Sequence, residues 1–199
     1  MHKLLYSQAS PYSAKVRMAA ALAGIALETE TVDTASNPAV LIDANPLGKI
    51  PTLITEDGIV IYDSRVIIQY LNRLSGNRIF PRNAVKRLEA ERLEALADGI
   101  CDCLLVISYE RRTRPEEKIH QPWLDRQWEK AIRGLDVLNA NPPKLPKSIT
   151  VGHVAVRALI GYLDLRFSGK WEKGRGKLKR WAARFDEKWP ELAEKTPKG

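Results

Sequence analysis

The sequence predicts an α/β segment followed by an all-α segment, and three observations carry that expectation. Runs of β type alternate with helical patterns over the first 76 residues. The dipeptide Asp57-Gly58 sits between two apolar runs, which is a hairpin signal. From Val85 onward only helical periodicity remains.

The elements follow in order. His2 to Gln8 (HKLLYSQ) is a short β-type run stopped by Ser10-Pro11. From Tyr12 the pattern turns helical through Val16, Met18, Ala19, Ala20, Leu22 and Ala23, and Gly24 stands where a C-cap glycine belongs. Leu27 to Val32 alternates as a half-exposed strand. Asn37-Pro38 opens a loop or short helix that ends near Asn45-Pro46. Ile50–Ile54 and Gly58–Tyr62 are the hairpin strands, and Asp63 or Ser64 caps the helix SRVIIQYLNRL, which stops near Gly76. The order is β-α-β-(loop or α)-β-β-α. SGNRIFPRNA then reads as a linker. Helices are predicted from about Val85 to Arg112, Glu116 to Leu138, Val151 to Phe167 and Gly176 to Trp189, with Pro190 ending the last.

Composition narrows the function classes. A chain of 199 residues suits one large domain or two small ones, and 44% apolar with 28% charged residues is ordinary globular usage. No apolar run approaches the roughly 20 residues of a membrane span. The N-terminal stretch lacks a signal peptide's apolar core, so a cytoplasmic protein with no membrane partner is expected. Cys101 and Cys103, two apart in a helical pattern, point to nearly opposite faces, and the three histidines are scattered. Zinc needs clustered ligands, so no metal is expected. The net charge of +8 invites a nucleic-acid reading. Much of the excess falls in the last thirty residues, as in KWEKGRGKLKRW, with no nucleic-acid motif beside it. A solvated basic helix with a general attraction for small anions is the expectation, and no nucleic-acid partner.

Three motifs carry chemistry. Ser10-Pro11-Tyr12-Ser13 lies between a strand and a helix, where free N–H groups and a partial positive charge stabilise an anion. Glutaredoxins have Cys-Pro-Tyr-Cys there; with Ser at both Cys positions, dithiol exchange is excluded. A hydroxyl donor toward another molecule's thiolate remains, with Ser13 as a second donor one turn in. Asn45-Pro46-Leu47-Gly48-Lys49-Ile50-Pro51-Thr52-Leu53 places a proline at a strand's first residue, where its missing donor is tolerated. Tyr62-Asp63-Ser64-Arg65, continued by Ile67, Ile68, Tyr70 and Leu71, puts two short oxygen-bearing side chains at a helix start.

Together these motifs resemble a cytosolic glutathione S-transferase over nearly the whole chain, similar to the serine-type and zeta-like branches. The resemblance implies a thioredoxin-like N-terminal domain (βαβαββα, residues 1–77) and an all-helical C-terminal domain (84–199). It implies Ser10 as the catalytic donor to the thiolate of glutathione, which is the co-substrate. Ile50 would pair through its backbone with the cysteinyl part, exposed by a cis Pro51, and Lys49 would reach the glycine carboxylate. Asp63 would take the γ-glutamyl ammonium and Ser64 its carboxylate. Tyr12, Cys103, Ile107 and Arg111, with Ser108 and Arg114, would line the second-substrate pocket for a small electrophile. Arg111, Arg112 and Arg114 form a small cationic cluster that reads as a solvated helix end, with an anionic electrophile as the sharper alternative.

A homodimer is implied as well, with Glu91, Asp98 and Asp102 near its axis and Asp98 or Asp102 reaching across to the γ-glutamyl ammonium. The family's capping box before a buried helix has Asp where this chain has His153, so only a neutral imidazole would accept the Thr150 N–H. Two alternatives stand beside the transferase. One is a glutathione-dependent isomerase of the zeta type, whose Ser-Ser-Cys-Ser run differs from Ser-Pro-Tyr-Ser here. The other is a non-enzymatic interaction protein, against which the intact Ile50-Pro51 and Asp63-Ser64 argue.

Overall fold

The computed structural model describes residues 1–199. Its N-terminal part is a four-stranded sheet, β1 (Lys3–Tyr6), β2 (Glu28–Thr31), β3 (Thr52–Ile54) and β4 (Val60–Ile61), in the order β2-β1-β3-β4. β1 and β2 are parallel; β1–β3 and β3–β4 are antiparallel. Side chains alternate across a strand, and β1 uses both faces. Leu4 and Tyr6 pack with α1 (Pro11–Ala23) and α3 (Ser64–Leu74), through Val16, Ala20, Ile67 and Leu71. Leu5 packs on the opposite face with Val32 and with Leu41 of α2 (Ala39–Ala44). A thioredoxin-like sheet with helices is therefore followed by a helical region, as the sequence predicts.

Local chemistry explains the boundaries. Gly24 sits at φ 73°, and its N–H returns to Ala20 and Ala21, closing α1. The Asp57-Gly58 turn connects β3 to β4, with Gly58 at φ 82° and the Thr55 N–H donating to the Ile59 carbonyl at 2.8 Å. The hairpin strands are shorter than the apolar runs: β3 begins at Thr52, after Pro51, and β4 holds only two residues.

The linker is pinned by Asn72, a buried polar residue of α3. Its Oδ1 accepts from the Ile79 and Phe80 N–H groups at 3.0 Å each, and its Nδ2 donates to Asn77 Oδ1 at 2.9 Å. The Ile79 carbonyl accepts from Val151 N–H of the helical region at 3.1 Å.

Beyond it run α4 (Ala84–Thr113), α5 (Gln121–Ala140), α6 (Val151–Phe167), α7 (Gly176–Lys188) and the short α8 (Pro190–Ala193). α6 is buried on every side from Val151 to Leu163, so it forms the axis around which the others pack. Truncating a side chain such as Leu159 there would cost about 2–5 kcal/mol. Two helix boundaries differ from expectation. The helix expected from Glu116 begins at Gln121, after a single 3-10 turn at Glu116–Lys118, because Pro122 has no N–H and fits only the first helical turn. Pro190 opens α8 for the same reason rather than ending the chain's helices.

At the start of α6 the capping box closes with histidine. The Thr150 N–H donates to His153 Nδ1 at 3.1 Å, and Nε2 lies 2.8 Å from the Lys144 carbonyl. An accepting Nδ1 and a donating Nε2–H define one neutral tautomer. Burial lowers the imidazole pKa and favours that neutral form.

Candidate functional site

Two helix starts and one loop meet at a cleft between the sheet and the helical region. At the first, Ser10 is the extended N-cap of α1 (φ −78°, ψ 123°) and Pro11 is the first helical residue. Ser10 Oγ accepts from the Ser13 N–H at 3.1 Å, while its own O–H donates to no group of the chain. The cap and the donor roles therefore use different parts of one hydroxyl. Ser13 is not a second donor: its side chain is fully buried away from the cleft and its Oγ is unpaired. Tyr6 is core.

At the second helix start, Asp63 caps α3 by accepting the Arg65 N–H at 3.0 Å and borders the cleft as an exposed residue. Ser64 follows as the buried first residue of the helix.

The loop between them is shaped by Asn45. Its Nδ2 donates to the Lys49 carbonyl at 2.9 Å, its Oδ1 accepts the Leu47 N–H at 3.1 Å, and Thr52 Oγ1 donates to the same carbonyl at 2.9 Å. Gly48 takes the left-handed φ of 59° that the turn requires. The Ile50–Pro51 bond is cis, and the Ile50 N–H and C=O border the cleft without hydrogen-bond partners in the chain.

The cleft measures about 1610 Å³. That exceeds the roughly 300–1,000 Å³ of a site for one small molecule, so it has room for two. Ser10, Lys49, Ile50, Pro51, Asp63 and Ser64 line one part of it, and Tyr12, Ile107 and Arg111 another. Cys103 does not. From α4, residues 98, 102, 105 to 109, 111 and 112 border the cleft, whereas Cys103 lies toward Lys130 and Arg133 of α5. Its half-buried thiol is pushed up by desolvation. Arg114 also lies off the cleft, paired with Glu110.

Sequence reasoning missed two features. One is a buried ion cluster beneath the cleft. Lys15 Nζ contacts Glu94 Oε1 at 2.9 Å and Asp98 Oδ2 at 2.7 Å, and Arg65 Nε donates to Asp98 Oδ2 at 2.9 Å. Both oxygens of Asp98 are thus engaged within its own chain, rather than reaching outward, and Arg65 is more than a surface charge. Burial raises the Glu94 pKa, with Lys15 opposing the shift. Asp102 accepts the Tyr12 hydroxyl proton, and burial raises the Tyr12 pKa, so the phenol stays neutral.

The other missed feature is an aromatic floor contributed by α5 and α6. Trp128 stacks on Phe167 with centroids 5.6 Å apart, and Tyr162 meets Phe167 edge-on at 6.3 Å. The Tyr162 hydroxyl donates to Ser108 Oγ at 3.0 Å. The spacing of Leu124 and Trp128, four apart on one helical face, was the available signal.

Comparison with known proteins places this geometry in context. The glutathione S-transferase N-terminal domain family matches residues 9–74. The uncharacterized GST-like protein YibF of Escherichia coli K12 is 34% identical over 170 residues, 82% of this chain and 83% of that one. A glutathione S-transferase from Methylobacillus flagellatus KT, solved with glutathione bound, superposes with a TM-score of 0.89 at 33% identity, covering 100% of both chains. A glutathione transferase family member from Pseudomonas fluorescens Pf-5, solved with S-(propanoic acid)-glutathione bound, gives a TM-score of 0.85 at 34% identity. It covers 99% of this chain and 100% of its own.

Proposed function

The chain belongs to the glutathione S-transferase family, and from that premise we propose that it activates the thiol of glutathione for attack on a small electrophile. The observation that carries this reading is the state of Ser10. Its oxygen caps α1 while its hydroxyl proton stays free at the cleft, beside a helix start that stabilises negative charge. A thiol of ordinary pKa near 8.5 is lowered by one unit for each ~1.36 kcal/mol by which the thiolate is favoured. A hydrogen bond to a charged group contributes about 1.5–3 kcal/mol. One hydroxyl therefore suffices to bring the thiolate within reach of neutral pH.

In this reading residues 1–77 form the glutathione-binding domain and 84–199 the domain that receives the electrophile. The open Ile50 N–H and C=O take the cysteinyl backbone like an added strand. Lys49 pairs with the glycine carboxylate, Asp63 with the γ-glutamyl ammonium, and Ser64 with the carboxylate beside it. No cofactor other than glutathione takes part. The bound ligand of the Pseudomonas fluorescens relative, a thioether of glutathione, supports conjugation. The protein acts as a homodimer in the cytoplasm; no helix is long and apolar enough to cross a membrane. Light scattering that returns the mass of one chain at micromolar concentration would refute the dimer.

The test is calorimetric titration with glutathione, followed by product analysis with a panel of electrophiles. Binding and a stable thioether support the transferase. Binding with rearranged substrate and glutathione returned unchanged identifies an isomerase. Absence of binding at millimolar glutathione rejects both.

A further inference from the structure

The electrophile's own chemistry is written in the charges above the aromatic floor. Arg111 and Arg112 lie in the last turn of α4, Arg166 in the last turn of α6, and Lys170 just beyond it; all four line the same cleft. None has a carboxylate partner. Arg111 donates to Gln121 Oε1 at 3.2 Å, Arg112 stands over the Tyr109 ring at 4.6 Å, and Arg166 and Lys170 make no ion pair. Four other arginines of the helical region do have carboxylate partners: Arg87 with Glu91, Arg114 with Glu110, Arg157 with Asp186 and Arg175 with Asp136. The nearby acids do not balance the four. Asp102, which accepts from the Tyr12 hydroxyl, and Asp125, which accepts from Gln121 Nε2 at 2.6 Å, are two carboxylates against four cations.

We propose that this part of the cleft takes acceptors bearing a carboxylate on an aromatic body, an inference that rests on the glutathione reading above. The Trp128–Phe167 stack offers a flat apolar surface to the ring. The guanidinium forks match a carboxylate in geometry as well as in sign. Single cations at the ends of α4 and α6 would answer the helix dipoles. Dipole compensation does not account for Lys170, which lies past the helix, or for convergence on one aromatic surface.

With 4-chloro-3-nitrobenzoate as the acceptor, the thiolate's electron pair forms the C–S bond at the chlorine-bearing carbon. The C–Cl bond breaks and chloride leaves with its pair, so no oxidant or reductant is needed. Recognition is separable from that chemistry. S-(4-carboxybenzyl)glutathione and S-(4-carbamoylbenzyl)glutathione are near-isosteric and differ at the para position in charge and in one acceptor replaced by a donor, and each is titrated by calorimetry into the full chain. The acid should bind about tenfold tighter at low ionic strength. That advantage should shrink as salt rises, because screening shortens from about 30 Å at 0.01 M to about 8 Å at 0.15 M. Arg166→Gln with Lys170→Gln should narrow the ratio. Equal binding, or tighter binding of the amide, overturns the inference while the glutathione reading stands. If neither conjugate nor glutathione binds, both fall. If the double variant does not fold, the salt dependence of the unmodified protein decides alone.

Discussion

Lys15 on α1 and Asp98 on α4 form an ion pair of 2.7 Å, with side chains only 1% and 6% exposed. It joins the sheet-bearing part of the chain to the helical part directly beneath the cleft. Two buried carboxylates, Asp98 and Glu94, share the one lysine, and Arg65 completes the charge balance from above. Ion pairs of this kind bring little net stability, because desolvation opposes attraction, but removing one member strands the other.

Lys15→Met should therefore destabilise the protein by about 3–5 kcal/mol. Adding Glu94→Gln should recover part of that loss, since one stranded charge disappears. Urea denaturation of the single and double variants measures both. A loss below about 1 kcal/mol in the single variant would mean that water reaches the cluster.

Ser10→Ala should separate binding from activation. The lost cap costs about 1 kcal/mol of stability. The bound thiol should titrate higher, and the thiolate fraction near neutral pH should drop about tenfold for each pKa unit. Affinity for the thiol form of glutathione should hold, because its proposed contacts fall on Ile50, Asp63 and Ser64. The deficit should fade as pH rises and solvent makes the thiolate unaided. A pH–rate profile with thiolate absorbance checks this; superimposable profiles would leave Ser10 a helix cap only.

At Asp63 two variants divide cap from charge. Asp63→Asn keeps an oxygen for the Arg65 N–H and should preserve stability, yet weaken glutathione binding by about 1.5–3 kcal/mol. Asp63→Ala should add about 1 kcal/mol of destabilisation. Calorimetry paired with thermal melts reads both, and unchanged affinity in the Asn variant would place the γ-glutamyl group elsewhere.

His153 gives the fold a pH dependence. Its folded pKa lies below the ordinary 6.5, so the unfolded chain takes up the proton first. The stabilisation is complete above 6.5 and declines as pH falls from there to the lowered folded value, below which it is flat. His153→Asp retains an acceptor for the Thr150 N–H and should remove that step. Stability curves of the two proteins between pH 4 and 8 test it, and parallel curves would assign the step to another group.

Local signals in the sequence carried far. Gly24, Asp57-Gly58 and Asp63 mark turns and caps whose chemistry acts over a few residues, and each sits where such chemistry requires. What stayed hidden depends on residues distant in the chain. No neighbour in the sequence marks Lys15, whose partners Glu94 and Asp98 lie about 80 positions later. Cys103 reads as cleft-facing until the rotation of α4 is fixed by its packing on α5 and α6. Phe167 and Lys170 join Arg111 and Arg112 only because α5 carries the chain back, so that α4 and α6 end at the same cleft.

Asn72 grips three points of the linker, and Ile79 is held again from the far side by Val151. A connection anchored on both flanks cannot serve as a hinge. The linker therefore gives the two parts that border the cleft no hinge about which to open or shut. In the proposed transfer, entry of the second substrate is then a matter of diffusion, and escape of a bulky thioether depends on how tightly it is held. Turnover should then respond to solvent viscosity through encounter and departure, with no slower closing motion between them.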